Sequence, residues 1–159
     1  MLRTLSTFLA FAVLAFASAS AAGTPQMALP PQPHVHPAGI PSDAVMVSPC
    51  VATMGEHWAA LHNLPNGPIY GVWQGKPVFT EIMVSVTQLE HGFSWADIRP
   101  LPGYKIDHID FEFEPHGHEG YPVPHYDVHA YYVSAAAEAQ ICPNGIPDPA
   151  MKPTRINPH

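Results

Sequence analysis

Residues 114–129 read EPHGHEGYPVPHYDVH, with four histidines, three carboxylates and three prolines in sixteen positions. Imidazole and carboxylate are the side chains that hold zinc, copper, iron or manganese, and histidine also exchanges protons near neutral pH. Spacing limits which of these groups can share one ion. On a strand, positions i and i+2 lie about 6.7 Å apart and positions i and i+4 about 13 Å. His125 with Asp127, or Asp127 with His129, can therefore converge, whereas His125 with His129 needs a bend or bulge. A helix would join that last pair, but Pro122, Pro124 and the aromatic and β-branched content oppose one. The stretch thus supplies two ligands or three, and others must come from the loop or elsewhere. His116 and His118 are the loop donors, with Gly117 between them. His57 in MGEHW and Glu81 in TEIM are polar groups set in otherwise apolar segments. Taken alone, each has a simpler role, as a buried histidine with a backbone partner or a carboxylate capping a turn. The candidate metal set is His57, Glu81, His116, His118, His125, Asp127 and His129, and the ion zinc, copper, iron or manganese.

Strands must position these groups. KIDHIDFEFEP alternates strictly, with Asp107, Ile109, Phe111 and Phe113 on one face and His108, Asp110, Glu112 and Glu114 on the other. HYDVHAYYVS alternates again, with His125, Asp127, His129 and Tyr131 opposite Tyr126, Val128, Ala130 and Tyr132. In a hairpin that sets apolar opposite apolar, paired residue numbers sum to an odd value, as for Asp110 with His129 and Glu112 with Asp127. Opposed carboxylates such as Glu112 and Asp127 repel, so water, protonated histidines or a cation must offset them. Antiparallel sheets often show one face to water, which makes solvent the plainest answer. Against it, no Lys or Arg occurs between Ile106 and Met151, whereas a solvated face mixes both signs of charge. Protonated histidines would instead make a pH-driven interface. His116-Gly117-His118 resembles part of the first cupin metal motif, but Glu119 follows His118 directly where that motif has several intervening residues.

The rest of the chain predicts an α+β domain built on an antiparallel sheet with a few short helices. CVATMGEHWAAL predicts a helix over Thr53–His62, weakened by Gly55. PNGPIYGVWQGKPVFTEIMVSVTQLEHG predicts a strand, a Gln-Gly-Lys turn and a longer strand. SAAAEAQ predicts a short helix before Cys142. Residues 1–22 have the basic start, apolar run and small-residue end of a signal peptide, so a periplasmic or extracellular protein is expected, with no membrane span once the signal is cleaved. Proline-rich arms follow at 23–43 and 143–159, around one domain at 44–142. Cys50 and Cys142, the only cysteines, predict one disulfide in an oxidising compartment. The formal charge is −7, with no basic cluster to drive nucleic-acid binding.

MGEHW, GPIYGVWQGKPVFTEIMV, KIDHIDFEFEPHGHEG and PHYDVHAYYVS together resemble a family of small secreted bacterial proteins of unknown function. The family is typified by a Thermus protein under sigma-E and anti-sigma-E control. The resemblance implies an extracytoplasmic α+β domain that assembles into homo-oligomers, and it implies no catalytic residues. No nucleophile elbow, H-E-x-x-H, P-loop or dinucleotide fingerprint is present. Three functions follow: a metal-binding protein, an envelope-stress protein that works by assembly without metal, and a metal-dependent enzyme. The first is preferred.

Overall fold

Four runs of alternating or β-branched residues supply most of one sheet. The structure, a computed structural model, describes residues 35–96 and 98–147. The expected signal peptide and the outer parts of both arms lie outside the described residues. In chain order the elements are β1 (Val45–Val51), β2 (Gly55–Ala59), β3 (Ile69–Trp73), β4 (Lys76–Ser85), α1 (Val86–Glu90), β5 (His108–Glu114), β6 (His125–Tyr131) and α2 (Ala135–Glu138). The strands form one sheet in the order β1-β2-β3-β4-β6-β5, every neighbouring pair antiparallel. Cys50 and Cys142 form the disulfide, with Cα atoms 6.1 Å apart.

The β5–β6 hairpin has the register that apolar matching requires: Asp110 opposes His129, Glu112 opposes Asp127, and Glu114 opposes His125. Gln74 and Gly75 turn between β3 and β4, both at positive φ, as a tight hairpin demands. Two local expectations fail. Most of the helix expected over Thr53–His62 is strand β2, and only its end is helical, in a 3-10 turn at Leu61–Asn63, because Gly55 adopts φ +88° and a Cβ there would collide with the Val72 carbonyl. Only glycine lets the two backbones approach so closely, and pairing with β3 outweighs local helix propensity. The long strand also stops at Ser85. Its side chain accepts from the Gln88 amide, while the Gln88 side chain accepts from the Ser85 amide, a capping box that starts α1 at Val86. Strand β1 has no counterpart among the sequence expectations.

Opposite faces of the sheet are covered by different segments. Trp58, Tyr70 and Val72 pack with Ile40, Ala44 and Leu101. The other face carries Phe79 and Tyr131, packed with Val51, Met54 and Ile141. That second face continues into the polar face of the hairpin, and it points inward. His125 is 0% exposed, His129 1% and Asp127 5%, whereas Ile109 and Phe111 on the reverse side are 60% and 63% exposed. The solvent explanation for the crowded histidines is thereby overturned.

Candidate metal centre

Two His-His-carboxylate trios lie on the inner face, the ligand atoms within each trio all within 4.8 Å of one another. His118, His125 and Asp127 form the first. His125 Nε2 is 3.0 Å from an Asp127 oxygen and 3.1 Å from His118 Nε2, and His118 Nε2 is 3.8 Å from the second Asp127 oxygen. Strand β6 delivers His125 and Asp127 from adjacent same-face positions. The loop returns His118 over them through its pairing with Tyr121. Gly117 allows this return, since its φ is +64° and a Cβ would collide with the Tyr121 and Val123 backbone.

Hydrogen bonds on the far side of each ring decide what the near side can be. His125 Nδ1 is 2.6 Å from the Val123 carbonyl, and His118 Nδ1 is 2.9 Å from the Glu119 carbonyl. A carbonyl only accepts, so both Nδ1 atoms carry the proton. In the neutral rings both Nε2 atoms are then lone pairs. They face each other and a carboxylate, so three acceptors converge with no proton between them. A carbonyl behind each ring is also the usual arrangement around a metal-bound histidine. Burial pushes the His125 pKa down, which keeps that ring neutral.

His57, Glu81 and His129 form the second trio, one residue from each of β2, β4 and β6. Glu81 and His129 are directly opposed in the β4–β6 register. The Glu81 carboxylate lies 3.8 Å from His57 Nε2 and 3.6 Å from His129 Nε2. Burial pushes His57 down to about 4 and His129 down to about 3, with repulsion from neighbouring histidines adding to both. The Phe79 ring meets His129 and His57 edge-on at 4.8 and 5.5 Å. It fits only because Gly71 lies beneath it, where a Cβ would collide with the ring.

A cavity of about 490 Å³ opens over both trios. His57, Glu81, His118, Asp127 and His129 supply polar groups. Val47, Val51, Met54, Leu64, Ile69 and Ile146 are among the apolar lining residues, and among the described residues no Lys or Arg lines the cavity. A mostly apolar cleft with a few convergent polar groups is the usual form of a small-molecule site.

Six of the seven candidate ligands thus come together, in two groups. His116 is exposed and belongs to neither. A third trio, His108, Asp110 and Glu138, lies outside the candidate set. His108 and Asp110 are legible in the sequence as polar-face residues, but Glu138 arrives from α2, and its only sequence signal is being the sole carboxylate of SAAAEAQ. There His108 Nε2 lies 3.1 Å from Glu138 and Nδ1 3.2 Å from Asp107, both within hydrogen-bond distance.

The fold has a solved counterpart. The crystal structure of a hypothetical protein from Thermus thermophilus matches with a TM-score of 0.52 and 25% identity, covering 59% of this chain and 91% of that one. No protein-family model and no curated protein matches the chain. The similarity bears on fold and supplies no reaction or ligand.

Proposed function

We propose that this chain is a metal-binding protein whose site is the hairpin cluster of His118, His125 and Asp127. One observation carries the reading: backbone carbonyls fix both imidazoles as Nδ1–H tautomers, which aims two lone pairs and a carboxylate at one point. Bonds of about 2.1 Å in a tetrahedral site put donors about 3.4 Å apart, and the observed 3.0, 3.1 and 3.8 Å bracket that value. Two histidines and a carboxylate suit zinc, and they also suit non-haem iron. Three protein donors leave coordination positions for water or a small ligand, and the cavity gives that ligand room. Among the described residues no helix is long and apolar enough to cross a membrane. The Cys50–Cys142 disulfide supports the proposed periplasmic or extracellular location, because such bridges persist in oxidising compartments.

Elemental analysis of untagged protein, purified without chelator, tests the reading. Near-stoichiometric metal in the wild type and at least a tenfold loss of affinity in Asp127→Asn are expected. Unchanged binding in that variant would remove the hairpin from the site.

A second reading concerns assembly. Ile109, Phe111 and Phe113 are exposed on β5, which is an edge strand. An apolar face on an open edge is a surface that proteins normally cover, and we assign a second copy of this chain as the cover. Phe111→Asp should then lower the mass measured by sedimentation, and a wild type that sediments as a monomer would sink the idea.

A further inference from the structure

We propose that His57, Glu81 and His129 form a second cation site, separate from the hairpin site and suited to a borderline divalent ion such as zinc. The inference goes beyond the hairpin site and does not depend on it. His129 carries most of the weight. The residue is 1% exposed, yet among the described residues neither ring nitrogen finds a hydrogen-bond partner. Buried polar atoms in native proteins nearly always find a partner, and exceptions call for a specific cause such as an ion.

The surroundings of His129 show which nitrogen that ion would use. Nδ1 lies 3.5 Å from Glu112, outside hydrogen-bond geometry but on the side where the carboxylate stands in a carboxylate–histidine–metal arrangement. Nε2 points the other way, 3.6 Å from the same Glu81 carboxylate that stands 3.8 Å from His57 Nε2. Both gaps are close to the roughly 3.4 Å expected between tetrahedral donors. The contacts are too long for good hydrogen bonds and suitably spaced for one shared cation. Phe79, seated over Gly71, holds both imidazole planes by edge-on contact, so the donors are positioned by packing.

The two trios should load independently. Asp127 and His129 are two residues apart on β6, which is about 6.7 Å along a strand. Metals that act as a bridged pair sit about 3.5–4 Å apart. The structure therefore favours two mononuclear sites opening into one cavity over a bridged dinuclear centre.

Zinc titration by calorimetry, with elemental analysis of the loaded full-length untagged chain, decides the matter. The wild type is expected to hold two ions. Glu81→Gln and His57→Gln should each hold one, Asp127→Asn should hold one, and Glu81→Gln combined with Asp127→Asn should hold none. Glu81 is in the core, so near-UV circular dichroism is recorded for each variant. If Glu81→Gln loses its fold, the partly exposed His57→Gln decides alone. Two ions retained in folded His57→Gln would overturn the second site. A wild type with one ion that Asp127→Asn abolishes would also overturn it, leaving the hairpin reading intact. A wild type whose two ions survive Asp127→Asn but fall to one in His57→Gln would sink the hairpin reading and sustain this one.

Discussion

Acid should destabilise the metal-free protein well before its carboxylates titrate. His57 and His129 are held down to about 4 and about 3, chiefly by burial, while in the unfolded chain each takes a proton near pH 6.5. A group whose folded pKa is lowered gives its full stabilisation above the unfolded value and loses it as pH falls towards the folded value. Near pH 5 the unfolded chain has bound protons at these two positions that the folded chain refuses, and burial of His125 adds to the effect in the same direction. Each costs about 1.4 kcal/mol per pH unit over roughly 1.5 units, or about 2 kcal/mol per histidine and roughly 4 kcal/mol for the pair. Against a typical total of about 5–15 kcal/mol, that is a large fraction. The assay is urea unfolding with chelator present, near pH 7.5 and near pH 5. With a slope of about 2 kcal/mol per molar, the midpoint should fall by roughly 2 M. Ordinary Asp and Glu titrate at about 3.9–4.3, below this window, and His57→Phe should remove about half the shift. An unchanged wild-type midpoint would refute the reasoning, and it would mean that Glu81 and Glu112 stabilise imidazolium enough to cancel the cost of burial.

Two further outcomes are expected. Gly71→Ala should lower stability by about 1–3 kcal/mol, the usual cost of overpacking, because its methyl group would displace the Phe79 ring; an unshifted melting temperature would show that the ring moves freely. Reduction of Cys50–Cys142, which are 92 residues apart, should cost about 4–5 kcal/mol on the chain-entropy model, read from thermal melts with and without reductant. Two titratable thiols in the native oxidised protein would overturn the bridge itself.

The hairpin is legible in the sequence because its two strands alternate over seven residues each and only one parity of register keeps apolar opposite apolar. Alternation does not say which face is covered. That depends on segments remote in the chain, Ile40 and Leu101 behind one half of the sheet and Val51, Met54 and Ile141 in front of the other, so the lack of Lys and Arg between Ile106 and Met151 is the one local sign that Asp127 and His129 turn inward. The metal donors stand out by residue type, yet their division into two trios does not. Glu81 joins His129 only through β4–β6 pairing, and His57 joins them across β3, where Gly71 sits in register between His57 and Phe79. At MGEHW, Gly55 decides for strand over helix, and its close approach to β3 likewise has no local signature.

The cavity wall is drawn from segments far apart in the chain. Val47 and Val51 line it from β1, and Ile146 and Pro147 line it from the far end of the domain. The Ile146 amide donates to the Cys50 carbonyl and the Ala52 amide to the Ile146 carbonyl, at 2.9 and 2.8 Å, beside the disulfide that ties the two segments. A chain with free thiols keeps the β1–β2 pairing, the packing of Val51 against Ile141 and these hydrogen bonds, but lacks the covalent tie between the two segments. The bridge thus constrains the chamber as well as the unfolded chain, because the two segments it ties both furnish the cavity wall.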